Sequence, residues 1–116
     1  MTDTFNDIEE YEDILEHCAK NNPLHFNINK ALEEAAEFVD ASLKYQTKHP
    51  DNPKKPTRED ILHEYADFFY RGLIMLMSLF PDKNLDEIND LIGERCRYKL
   101  DYLIDWKNNG QYQGGL

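Results

Sequence analysis

Apolar residues recur at helical spacing along almost the whole chain. Phe5, Ile8, Tyr11, Leu15 and Cys18, with Ile14 alongside, predict a first helix over about 4–19, closed by "NNPL". Ile28, Leu32, Ala35, Ala36, Val39 and Leu43 form a stripe with a period of about 3.6 and predict a second helix over 27–46. Pro50, Pro53 and Pro56 then forbid a regular helix, which leaves residues 46–58 as a Pro-rich connection, long for a helix pair. Thr57 with Asp60 three residues later has the form of an N-cap with an acidic first turn. It predicts a third helix up to Phe80, before Pro81. Asn84 with Glu87 is a second capping signal. The helix it opens carries Leu85, Ile88, Leu91, Ile92, Leu103 and Trp106 to about residue 107, although Gly93 argues against one straight rod. The Gly-rich residues 108–116 are expected to form a flexible tail. No strand pattern and no internal repeat compete, so the expected class is all-α.

The 116 residues amount to a single domain, 1–116, with a modest core, near the size at which a partner subunit often completes it. Thirteen Lys and Arg against 23 Asp and Glu give a net charge of −10, the wrong sign for generic nucleic-acid binding, which needs a basic footprint on the phosphates. The N-terminal "MTDTFNDIEEYED" has no basic or apolar leader region, and no apolar run reaches the roughly 18 residues of a membrane span. The expectation is a soluble, cytoplasmic protein with no membrane partner. Cys18 and Cys96 fit no C-x-x-C spacing and read as reduced packing residues.

The informative chemistry is acidic. On a helix turning about 100° per residue, Glu33, Glu34 and Glu37 of "ALEEAAEFVDA" share one broad face. Taken alone, that is what the solvated side of an amphipathic helix looks like. The third helix changes the reading: Asp60, Glu64, Asp67, Arg71 and Ser78 fall on one narrow stripe, while Leu62, Tyr65, Ala66, Phe69, Leu73, Leu76 and Met77 cover most of the remaining circumference. A helix apolar on nearly all sides should be buried on nearly all sides, so its polar stripe should line an internal groove. Buried carboxylates are costly unless paired, protonated or bound to metal, and Arg71 offsets only one of them. If the two acidic stripes face each other, at least four carboxylates converge. Two unit charges about 4 Å apart repel by roughly 4 kcal/mol at an effective dielectric of about 20, so the arrangement needs a cation. An all-oxygen ligand set favours Mg²⁺ or Mn²⁺ over zinc, and Mg²⁺ commonly shares its coordination with substrate phosphates. The absence of a Walker-type Gly-rich loop disfavours γ-phosphate chemistry.

The Glu-Glu-x-x-Glu of Glu33, Glu34 and Glu37, followed by the Glu-x-x-Asp of Glu64 and Asp67, resembles the signature of the MazG-like all-α nucleoside triphosphate pyrophosphohydrolases. "EYADFFYRGLIML" is similar to the corresponding helix of the phosphoribosyl-ATP pyrophosphohydrolases, and the resemblance spans roughly residues 27–80. It implies a four- to five-helix MazG-like bundle completed by oligomerisation, and hydrolysis of a (d)NTP to the monophosphate and pyrophosphate. Glu34, Glu37, Glu64 and Asp67 would be the magnesium ligands, and Glu33 would orient or deprotonate the attacking water. Arg71, on the acidic stripe, and Lys54, Lys55 and Arg58 of the Pro-rich loop are candidates for phosphate contacts. His25, Phe26 and Asn27 stand where relatives contact the base, although Phe26 equally suits a hydrophobic staple. The fourth helix departs from the family: no clean Asn and Lys pair is present, and Lys99, with Arg95 and Arg97, is a substitute in kind only. A third helix apolar on both flanks also needs more cover than three short helices give, which points to a homodimer or homotetramer. A dUTPase- or dCTPase-type enzyme of the same superfamily and a non-enzymatic acidic helical interaction protein are the competing readings. The interaction protein does not explain carboxylates on an otherwise apolar helix.

Overall fold

The computed structural model describes residues 4–47 and 55–110, and those residues form four helices: α1 (Thr4–Asn21), α2 (Leu24–Gln46), α3 (Arg58–Leu79) and α4 (Leu85–Asn108). No strand occurs among them. Both capping signals operate. The Thr57 hydroxyl accepts from the Asp60 backbone N–H at 3.2 Å while the Asp60 carboxylate accepts from the Thr57 N–H at 2.8 Å. Asn84 and Glu87 repeat the exchange at 2.9 and 3.2 Å. Each box satisfies two backbone donors that a helix start leaves without partners.

α2 starts three residues before the position its apolar stripe indicates. Pro23, in extended conformation, serves as its N-cap, and its carbonyl accepts from the N–H groups of Phe26 and Asn27 at 3.0 and 3.2 Å. The same "NNPL" stretch finishes α1. The side-chain amides of Asn21 and Asn22 donate to the carbonyls of His17 and Cys18, at 2.8 and 3.2 Å, and so satisfy acceptors at the end of the helix. α4 continues through Gly93 as one element, and a methyl group at Gly93 would meet open space.

α3 is the central element. Its C-terminal half supplies Leu73, Ile74 and Met77 to a core completed by Ala19 of α1 and Ile88 of α4, with Leu15, Cys18, Leu85 and Ile92 packed around it. Its N-terminal half lies along α2, with the Phe38 ring 5.5 Å from Tyr65 and 6.3 Å from Phe68. Farther out, the Lys55 ammonium lies 5.3 Å from the Tyr45 ring, so the two helices run antiparallel.

Two expectations about burial are corrected. The stripe of α2 is largely outside: Leu32 is 59% exposed, and Val39 and Leu43 are similarly open, while the helix buries Ala31 and meets α3 with Phe38. Nor is α3 covered on nearly all sides, since Leu62 is 68% exposed and Tyr65 and Phe69 are exposed. The four helices of one copy do not close around α3. The radius of gyration is 18.1 Å, against about 13 Å for a compact chain of similar length. Among the described residues no helix is long and apolar enough to cross a membrane.

The capping boxes give the fold a direct test. Thr57→Ala and Asn84→Ala should each lower stability by about 1 kcal/mol. Urea unfolding followed by circular dichroism should therefore show an earlier midpoint with an unchanged slope.

Candidate metal centre

The positions of the carboxylates follow from which apolar residues the helices bury. On α2, Ala31, Glu34 and Phe38 are three and four residues apart and so share the face that meets α3. On α3, Ile61, Glu64 and Phe68 repeat this spacing. Seating the apolar members of each set carries the glutamate between them into the seam. Glu34 and Glu64 are half-buried, Glu37 lies at the exposed rim, and one carboxylate oxygen from each of the three falls within 4.8 Å of the others. Oε2 of Glu34 and Oε2 of Glu64 are buried and have no hydrogen-bond partner among the described residues.

Two shielded acceptors without donors, beside a third carboxylate, form a site that lacks positive charge. The proton affinity of Glu34 reflects this: its pKa is raised, first by desolvation, then by the charge of Glu37, with Asp67 and Glu64 adding to the effect. The donor set is entirely carboxylate oxygen, the chemistry of a hard divalent cation. The three residues therefore fit a Mg²⁺ or Mn²⁺ ion.

Asp67 stands beside this set. It is half-buried, adds its charge to Glu34, and carries His63 Nε2 3.4 Å from its Oδ2. His63 is not among the residues the motifs mark, although its position four residues before Asp67 on one helix face is the signal that could have found it. Glu33 turns away, because adjacent helical residues point about 100° apart. It is exposed and held by Lys30 at 3.1 Å. Arg71 is half-buried one turn beyond Asp67, with its guanidinium 5.4 Å from the Tyr70 ring and no ion pair among the described residues.

The other candidate contacts are dispersed. Lys54 lies outside the described residues. Lys55 rests over Tyr45, and Arg58 pairs with Glu59 at 2.9 Å. His25 and Phe26 are exposed in the first turn of α2, with the Lys30 ammonium 5.8 Å from the Phe26 ring. Asn27 is 1% exposed, its amide nitrogen points at the carbonyls of Cys18 and Ala19, 3.5 Å away, and so it ties α2 to the end of α1, while its Oδ1 is buried without a partner among the described residues. Lys99 lies on α4, 5.9 Å from the Tyr98 ring, beside a trough that shares no residue with the carboxylate cluster.

Comparison with protein-family models, with curated proteins and with solved structures found no match to this chain.

The raised pKa of Glu34 fixes the sign of a pH dependence. A carboxyl group whose folded pKa lies above its unfolded value stabilises the fold at low pH, and that contribution is lost as pH rises through the folded pKa. Once ionised, Glu34 therefore opposes folding. Glu34→Gln should raise the melting temperature of the metal-free protein at about pH 7.5, and the difference should shrink towards about pH 5. Millimolar Mg²⁺ or Mn²⁺ should raise the wild-type melting temperature more at the higher pH, where it no longer competes with the proton, and should leave the variant nearly unmoved. Thermal melts at both pH values, with and without metal, check all of these outcomes.

Proposed function

We propose that the chain is a Mg²⁺-dependent nucleoside triphosphate pyrophosphohydrolase of the MazG-like type, acting as a homodimer or homotetramer and converting a (d)NTP into the (d)NMP and pyrophosphate. The observation that carries the reading is the meeting of Glu34, Glu37 and Glu64 oxygens within 4.8 Å, with buried, unpaired oxygens on Glu34 and Glu64. An acidic interaction surface would hold its charge outside. Here the packing of α2 on α3 turns Glu34 and Glu64 inward. The motif pairs on successive helices support the same reading through their resemblance to that family.

In this reading Glu34, Glu37 and Glu64 hold the ion and Asp67 completes the set on giving up its contact with His63. When bound, Mg²⁺ neutralises charge on the phosphoryl oxygens and supplies a more nucleophilic water. Arg71 binds a phosphate at the edge of the cluster, where a half-buried guanidinium with no carboxylate partner among the described residues keeps its donors for the substrate. Glu33, about 100° round the helix from Glu34, would orient or deprotonate the water only after its side chain leaves Lys30 and swings towards the cluster. Its exposed ion pair with Lys30 is worth at most about 1 kcal/mol, so releasing it costs little. Lys55 and Arg58, whose partners are at the surface, supply further positive charge to the triphosphate. Water attacks the α phosphorus, the bond to the bridging oxygen breaks, and pyrophosphate leaves.

The reaction is testable through its products. In ¹⁸O-water with Mg²⁺ and a panel of canonical and modified nucleotides, mass spectrometry should find the label in the monophosphate and unlabelled pyrophosphate. Label in orthophosphate with accumulation of diphosphate would overturn the mechanism. Glu64→Gln should reduce turnover by roughly a hundredfold or more, as expected when a ligand of an essential ion loses its charge, while helicity is retained.

A further inference from the structure

On each helix of the carboxylate seam a cation stands one turn beyond the acids, and both cations stand at the same end. On α2, Phe26, Lys30, Glu33 and Glu37 recur at spacings of three and four and form one stripe, whose last member is the exposed rim of the cluster. Lys30 precedes Glu37 by seven positions, and Arg71 follows Glu64 on α3 by the same number, close to two turns or about 10 Å along either axis. Because α2 and α3 run antiparallel, before the carboxylates on one helix and after them on the other is the same place. Lys30 is half-buried there between two partners, with its ammonium 5.8 Å from the Phe26 ring and 3.1 Å from Oε2 of the exposed Glu33. An ion pair three residues apart on a solvated helix face is ordinary and easily exchanged. Its position beside the cluster and level with Arg71 is what gives it a role.

We infer that Lys30 is a positioning residue that couples the arrival of a polyphosphate to the release of Glu33. Without substrate, its ammonium holds the Glu33 carboxylate on the outer side of α2, turned about 100° from Glu34. Polyphosphate oxygens that are not on the metal need donors, and Lys30 and Arg71 supply them from the two sides of the seam. A phosphate group with more than one negative charge competes with a single exposed carboxylate for the ammonium. The exchange moves Lys30 onto the substrate and frees Glu33 to swing towards the cluster. The Phe26 ring, on the other side of the ammonium, keeps the lysine on this rim with either partner. Glu33 thus becomes available only to a ligand that brings its own negative charge. This inference rests on the pyrophosphohydrolase reading and adds to it a residue that neither acidic half-motif contains.

Calorimetric binding of inorganic pyrophosphate in the presence of Mg²⁺ tests the exchange without turnover. Lys30→Gln should weaken that binding about tenfold and Lys30→Arg should restore most of it, with helicity unchanged in both, as expected for a charge-assisted hydrogen bond. Glu33→Gln should tighten it, because the ammonium no longer has to leave a carboxylate. In the Lys30→Gln background that gain should be largely lost, which is the coupling a double-mutant cycle reads. With any nucleotide that the wild type hydrolyses, Lys30→Gln should raise KM about tenfold and change kcat far less. An unchanged KM, or equal pyrophosphate binding by wild type and Lys30→Gln, would overturn the role of Lys30 and leave the metal centre and the reaction as proposed. A loss that Lys30→Arg does not repair, or a gain from Glu33→Gln that is the same with and without Lys30, would overturn the exchange. A wild type that neither binds pyrophosphate with Mg²⁺ nor hydrolyses any nucleotide would overturn this inference together with the pyrophosphohydrolase reading.

Discussion

The packing of α2 against α3 has to hold in place a set of charges that pushes the helices apart. Ala31 lets the backbones approach, and Phe38 fills the space between Tyr65 and Phe68. Glu34 and Glu64 occupy the intervening turns on the two helices, so the contact that stabilises the pair is also the contact that concentrates the carboxylates. The conflict is resolved only in part within the chain: Glu34 holds its proton more tightly than an ordinary carboxyl, and two buried oxygens go without donors. A divalent cation would convert this repulsion into a tie between the helices, coupling metal binding to the stability of the seam.

The helices are legible in the sequence because their signals are local. A capping box is read from four residues, and an amphipathic period from a dozen. The faces are not legible in the same way, since the period shows that a helix has an apolar side without showing what covers it. On α2 the large residues Leu32, Val39 and Leu43 outline the obvious stripe, yet the helix turns Ala31 and Phe38 inward, with Phe38 against α3. Asn27 shows the limit most plainly. Its sequence position beside His25 and Phe26 suggests an exposed contact, and only the arrival of the end of α1 buries it.

The carboxylates stand between these cases. Spacing along the chain is enough to bring Glu34, Glu37 and Glu64 together, because residues three or four apart share a helix face and the order of the two half-motifs sets the facing helices. The same spacing does not separate Glu33 from Glu34. Which neighbour turns inward depends on the position of Ala31 and Phe38 relative to the seam, and Lys30, three residues before Glu33, then holds the outward one. His63 and Asp67 likewise pair along one helix, and the pairing leaves Asp67 beside the other three carboxylates instead of among them.

The geometry also separates the exposed apolar residues from the carboxylates. Leu32 precedes Glu34 by two residues, and Leu62 precedes Glu64 by two, which on a helix is a rotation of about 200°. On both helices the exposed leucine therefore lies almost opposite the inward glutamate. The exposed apolar surface of the α2–α3 pair and its charged seam therefore lie on separate sides, so that covering the first would leave the exposed edge of the cluster at Glu37 open to solvent.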